Sequence, residues 1–441
     1  MKNENDLNGV FGDLIPEIGR AVAEAGYHTP SPIQEKSIPP LLKGRDMIGC
    51  AQTGTGKTAA FTLPILQYLV KKNQRPVSKR PEVLILAPTR ELAAQIGESV
   101  EKYGKHTNVS HTVIFGGVGQ HPQVKAVRRG IHIVVATPGR LIDLVNQGMI
   151  DLGGVGIFVL DEADRMLDMG FIHDIKKVIK KLPAKRQTLF FSATMEPKVK
   201  QLAESLVKNP AQVAIEPEKP AVERINQKIM FVKKEHKDDL ILQLMASKKL
   251  DKVIIFTQMK HVANKVARKL EGIGISAAAI HGNKSQGART QALADFKAGK
   301  CRALVATDIA ARGIDVKEIS HVINYDMPVE PETYVHRIGR TARAGAEGDA
   351  ITMCSAQERD YLRAVEKLLR FEIPRDLKHS LHSEKSMNAT GADAKPGPKV
   401  RQQRGKVTVS ASGRSRNTKK GGQRPSRVAS RRSKPRRTSN G

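Results

Sequence analysis

The stretch Asp46-Met-Ile-Gly-Cys-Ala-Gln-Thr-Gly-Thr-Gly-Lys-Thr58 decides how the rest of the chain is read. Asp46–Cys50 is a short apolar run, Ala51–Thr58 is rich in glycine, and Ala59–Lys71 has helical spacing. Strand, glycine loop and helix in that order make a phosphate cradle. Glycines let backbone N–H groups wrap phosphate oxygens, and the positive end of the helix dipole favours the anion. Lys57 is expected to reach the β- and γ-phosphates, and Thr58 to ligate Mg²⁺. The general pattern has Gly where this chain has Ala51. A chance Gly-Lys-Thr would lack the flanking strand and helix.

The same alternation continues outward. Apolar runs lie at Val83–Ala87, His132–Ala136, Ile157–Leu160 and Thr188–Phe191 in the first half. In the second half they lie at Val253–Phe256, Ser276–Ile280, Arg302–Ala306, His321–Tyr325 and Ala350–Cys354. Amphipathic stretches such as Glu91–Lys105 and Val262–Gly272 separate them. Buried strands alternating with helices predict an α/β protein with doubly wound parallel sheets. A length of 441 residues suits two domains. Asn209–Arg224, with its prolines and mixed charge, reads as a linker. The expected layout is a first domain over 1–208, a linker over 209–224, a second domain over 225–375 and a disordered basic tail over 376–441.

The net charge is +30, and it is uneven. From His379 to Gly441 there are 17 Lys and Arg against 2 Asp and Glu, so one seventh of the chain holds half the excess. A polyanion is the natural partner, nucleic acid ahead of a membrane surface. Charge alone also fits a solubilising role. No stretch approaches the roughly 20 apolar residues of a membrane span. Met1–Asp13 is polar and is not a signal peptide. Cys50, Cys301 and Cys354 lie far apart, outside metal-ligand spacing, and read as buried reduced thiols of a cytoplasmic protein.

Ile157–Leu160 runs straight into Asp161-Glu-Ala-Asp164. The carboxyl end of a parallel strand is where such sheets bind ligands. Asp161 is placed to hold Mg²⁺ through water, and Glu162 to orient and deprotonate an attacking water. Far along the chain, His336-Arg-Ile-Gly-Arg-Thr-Ala-Arg343 crowds arginines that suit the charge of a transferred phosphoryl group. Alone, the first could be an acidic helix start and the second a solvated basic loop. Pro88-Thr-Arg-Glu-Leu92 and Thr137-Pro-Gly-Arg140 each follow a strand and open a helix. Each offers a Thr N-cap and an Arg, so together they predict a two-part track for phosphates. Ordinary capping would look the same at either one.

In this order the pieces resemble the DEAD-box family of RNA helicases, from Phe11 to about Ser355. Phe115–Gln120, Ile280–Gln286 and Ala306–Arg312 resemble its bacterial RhlE-like branch. The resemblance implies two RecA-like domains, ATP and Mg²⁺ as cofactors, RNA as the partner and ATP-driven local separation of short duplexes. Gly26-Tyr27 through Pro30–Gln34 resembles the Q motif, which extends upstream to Phe11. Gln34 would bond adenine, Tyr27 would stack on it, and Phe11 would be the upstream aromatic. Ala51, Gln52, Thr53, Gly54, Thr55 and Gly56 would line the ATP loop, and Gly313 and Asp315 would complete it from the second domain. Ser192-Ala-Thr194 would couple hydrolysis to RNA, and Arg340 and Arg343 would be arginine fingers. Ala342 stands where Gly is usual.

RNA contacts would fall on Pro88, Thr89, Arg90, Gly117, Thr137 and Arg140, then on Gln286, Arg289 and Thr307. Proteins of ribosome assembly or RNA decay are further partners the resemblance allows. A non-catalytic RNA chaperone and a DNA translocase are the competing readings.

Overall fold

The computed structural model describes residues 7–52, 54–215, 225–247, 250–311, 316, 319–342 and 348–395. The first lobe carries β1 (Met47–Cys50), β2 (Val83–Leu86), β3 (His111–Ile114), β4 (Ile133–Ala136), β5 (Ile157–Leu160), β6 (Gln187–Ser192) and β7 (Ala211–Ala214). They form one sheet in the order β3-β4-β2-β5-β6-β1-β7. The second lobe carries β8 (Ile225–Phe231), β9 (Val253–Phe256), β10 (Ala277–Ile280), β11 (Ala303–Ala306), β12 (His321–Asn324) and β13 (Gly348–Cys354), ordered β10-β11-β9-β12-β13-β8. All the pairings within both sheets are parallel.

The apolar runs follow from burial on both faces. Val83 and Ile85 of β2 join one core with the helices Pro16–Glu24, Lys57–Lys72 and Arg90–Gly104. Leu84 and Leu86 join the other, with the helices Pro138–Asn146, Ile172–Ile179 and Pro197–Glu204. In β9, Val253 and Ile255 face one core and Ile254 and Phe256 another.

Two expected boundaries move. The segment read as linker begins as β7, and Ala211 N and Ile215 N donate to Asp46 O and Cys50 O at 2.8 and 2.9 Å. Without it, β1 would show an unpaired edge. Residues 216–224 lie outside the described set. The second lobe also runs past 375. Asp376 N and Ser383 N donate to Ile229 O and Phe231 O, and Ser386 Oγ to Val232 O. A short helix, Glu384–Met387, follows. This segment covers β8, the outer strand of its sheet, whose N–H and C=O groups would otherwise lack partners. The rest of the expected tail, 396–441, lies outside the described residues. Among those described, no helix is long and apolar enough to cross a membrane. Cys301 and Cys354 are buried, but Cys50 is only half-buried.

Candidate active site

β1 ends at the glycine loop, and the helix Lys57–Lys72 begins there. Gly54 and Gly56 have φ of 90° and 98°, a left-handed conformation that side chains resist. A Cβ on Gly56 would also collide with the Gln34 amide. Glycine therefore suits both positions of the loop. Lys57 is 6% exposed, and its Nζ is buried without a hydrogen-bond partner among the described residues. A buried ammonium without a partner is costly. An anion bound in the loop would satisfy it, so the residues present fit a nucleotide phosphate. Ala51 is buried beneath the loop and Gln52 is exposed beside it, its carbonyl accepting from Thr55 Oγ1. Thr53 lies outside the described residues.

The loop opens on a cleft of about 530 Å³ lined by Tyr27, Ser31, Gln34, Lys57, Thr58 and Glu162, among others. Gln34 does more here than expected. Its Oε1 accepts from Ser31 N at 2.8 Å, and its Nε2 donates to Gly56 O at 3.1 Å. Ser31 Oγ donates to Thr55 O at 2.7 Å. This pair caps the helix Pro32–Leu42 and braces the phosphate loop from outside. Tyr27 is part-exposed, its ring 6.4 Å from that of Tyr103, with Lys102 Nζ 5.0 Å from its centroid. Phe11 does not reach the cleft. The turn Gly9–Asp13 folds it into the first core, where it is 2% exposed.

Asp161 and Glu162 stand at the end of β5, each 2% exposed. Burial pushes the Asp161 carboxyl up to about 7, with Lys57 opposing and Glu162 and Asp164 adding to the rise. Glu162 has φ of 53° and caps the helix Ala163–Asp168. Its Oε2 meets Arg165 NH1 at 2.8 Å. Asp164 Oδ2 accepts from Ala193 N and Thr194 N, both at 3.1 Å, and Asp164 N donates to Ser192 Oγ at 3.3 Å. So the tetrad holds the Ser192–Thr194 loop directly.

From the second lobe, His336, Arg337 and Arg340 line one small cavity with Arg165 of the first. Arg337 is spent on the frame. It pairs with both Asp308 oxygens and donates to Asn324 Oδ1 at 3.2 Å. Arg340 is 4% exposed and donates through Nε to His336 O. Burial, then Arg165 and Arg340, lower the pKa of His336. Arg343, Gly313 and Asp315 lie outside the described residues.

The phosphate track is partly as expected. Thr89 caps its helix, accepting from Leu92 N at 3.2 Å. Thr137 opens a helix but makes no cap bond. Pro88 is buried at the end of β2, and Thr307 at the end of β11. Gly117 has φ of 82°, and a Cβ there would overlap the Arg90 guanidinium. Arg140 donates twice to Val118 O at 3.3 Å. Gln286 and Arg289 are not open phosphate contacts. Gln286 Oε1 accepts from Arg90 NH1 at 3.2 Å and its Nε2 donates to Glu91 Oε1 at 3.1 Å, while Arg289 NH2 meets Glu91 Oε1 at 2.9 Å. They fasten the lobes beside the track. Burial, then Arg289 and Arg140, lower the pKa of Arg90, which marks a cluster of like charge.

Sequence reasoning missed Ser31, Glu91, Asp164, Arg165 and Asp308. The Ser31…Gln34 spacing of a capping box was a signal for the first, and the i,i+3 step from Glu162 a signal for Arg165.

Residues 31–202 match the family described as DEAD/DEAH box helicase, and 236–345 that described as helicase conserved C-terminal domain. The chain is 43% identical over 359 residues to the ATP-dependent RNA helicase CshA of Listeria monocytogenes, covering 81% of this chain and 68% of that protein. The chain belongs to the DEAD-box family of ATP-dependent RNA helicases. It is also 45% identical over 356 residues to the ATP-dependent RNA helicase-like protein DB10 of Nicotiana sylvestris, 80% of this chain but only 58% of that protein's length. Among solved structures, a point variant of Saccharomyces cerevisiae Dbp5 bound to RNA and ADP BeF3 matches with a TM-score of 0.73 and 34% identity, over 84% of this chain and 95% of that one. The two lobes of this DEAD-box chain are RecA-like.

Proposed function

We propose that the chain hydrolyses ATP to separate short RNA duplexes locally and to remodel RNA or RNA–protein complexes. The observation that carries this is the buried Lys57 ammonium, unpartnered among the described residues, in a glycine loop, with Arg340 of the other lobe lining a cavity shared with Arg165. Lys57 meets the β- and γ-phosphates. Glu162 orients a water and takes its proton as the water oxygen bonds the γ-phosphorus and the bond to the bridging oxygen breaks. Arg340 stabilises charge on the transferred group, and Arg343 joins it by sequence. Thr58 and Asp161 offer the hard oxygen donors that fit Mg²⁺, which would neutralise phosphate charge.

RNA lies along Arg90, Gly117 and Arg140, held by its backbone and with little sequence preference. Gln286 and Arg289 clamp Glu91 as the lobes close, which bends one strand away from its partner. Asp164 carries the state of the γ-phosphate to Ser192 and Thr194. We place this activity in the cytoplasm, with ribosome-assembly or RNA-decay proteins as partners.

The test is RNA-stimulated ATPase of the Glu162→Gln variant. Turnover is expected to fall roughly 10²-fold or more while ATP and RNA still bind. Near-normal turnover would remove Glu162 from this role. Equal stimulation by DNA would favour a DNA translocase, and no stimulation in the unaltered chain a non-catalytic chaperone.

A further inference from the structure

Just past the tetrad stands Arg165, a residue that the hydrolysis scheme does not use and that pairs with Glu162. Glu162 leaves β5 with φ of 53°, a left-handed conformation that is strained for a non-glycine residue. Arg165 sits in the first turn of the helix that follows, and its NH1 lies 2.8 Å from Glu162 Oε2. Their side chains are 6% and 2% exposed, so water hardly screens the pair. Arg165 is itself anchored, its backbone N donating to Asp164 Oδ1 at 3.0 Å. It also lines the cavity into which the second lobe brings His336 and Arg340.

A buried carboxylate on a strained residue can swing about its side-chain torsions. A planar guanidinium three residues on removes that freedom, because its fork fixes direction as well as charge. We infer that Arg165 is a positioning residue for hydrolysis: it holds the Glu162 carboxylate in the one orientation that aligns the attacking water. This rests on the reading of Glu162 as the proton acceptor. Arg165 acts through Glu162 rather than on the reacting atoms. Its arrival at the same cavity as Arg340 means that the second lobe closes against a base already aimed.

The test is a double-mutant cycle on the full chain, read as kcat, half-saturating ATP and half-saturating RNA. Arg165→Gln should lower kcat by roughly 30- to 100-fold, the scale of a misplaced reacting group. Half-saturating ATP and RNA should stay within about threefold, since a loss of alignment leaves binding intact. Arg165→Lys keeps the charge without the fork and should restore only part of kcat. Glu162→Gln/Arg165→Gln should be no slower than Glu162→Gln alone, because residues that act as a unit are not additive.

A merely structural Arg165 predicts multiplied losses in the double variant, and that result overturns the inference. So does wild-type kcat in Arg165→Gln. If that variant does not fold, Arg165→Lys decides alone: reduced kcat at unchanged half-saturation supports the role, and full kcat ends it. Near-normal turnover in Glu162→Gln would instead overturn the reading of Glu162, and the inference with it.

Discussion

Lys57 in the first lobe and Lys237 in the second are buried to a similar degree, 6% and 2% exposed. Their surroundings are opposite. Lys237 Nζ donates to Tyr325 O at 2.7 Å, to Asp326 Oδ1 at 3.2 Å and to Glu358 at 2.7 Å. Lys57 Nζ has no such partner among the described residues. A buried charge satisfied from within belongs to the frame, whereas one left unsatisfied is an open place for a ligand. The arginines of the second lobe divide in a related way. Arg337 is consumed by Asp308 and Asn324, and Arg340 faces the lobe boundary.

The largest effect should come from the satisfied lysine. Lys237→Met would strand the carboxylates of Asp326 and Glu358, at about 3–5 kcal/mol of stability. A urea midpoint that does not move would break the comparison. Next comes Arg340→Ala, with RNA-stimulated turnover down on the order of 10³-fold, the scale of a lost arginine finger. Untouched hydrolysis would mean the active site is not shared between lobes. Lys57→Met should lose roughly 10²- to 10³-fold in turnover. Its stability should match or exceed that of the unaltered chain, because an unpaired buried charge has gone. Loss of stability there would show that Lys57 has a structural partner after all.

The smallest effect is at Ala342, whose φ of 54° puts a methyl group where Gly is easier. Ala342→Gly should raise stability by about 0.5–1 kcal/mol, the relief of strain exceeding the added freedom of the unfolded chain. A lower urea midpoint would contradict the strain.

Strands with both faces buried were legible: β5 and β9 fall where their apolar runs do. Of the four edge strands only β10 was, within the run Ser276–Ile280. β3, His-Thr-Val-Ile, is half polar, and β7, Ala-Gln-Val-Ala, is short and part-exposed, because only one side or face needs covering. β8 is interrupted by the polar run Asn226-Gln-Lys228 and was missed for the same reason. The segment 376–395 has few apolar residues and reads as tail, yet its backbone finds partners on β8. At the active site, the phosphate loop and the tetrad were readable because their neighbours in space are neighbours in sequence. The clasp of Gln286 and Arg289 on Glu91 spans nearly 200 residues of chain, and no local pattern carries it. Phe11 was misplaced by analogy, since an aromatic needed for the core looks the same in sequence as one needed for a base.

The position of β1 in its sheet also bears on how the protein is made. Among the described residues β1 pairs only with β6 and β7, so the strand that carries the phosphate loop has no strand beside it until residues 187–214 have been synthesised. At about 5–20 residues per second, a nascent chain waits on the order of ten seconds between making the loop and being able to set it in place. During that interval Met47–Cys50 and the helix behind it are apolar and unpaired at the ribosome exit. The order of strands thus hands the earliest part of the catalytic apparatus to whatever shields nascent chains, and makes the loop one of the last features of its lobe to become functional.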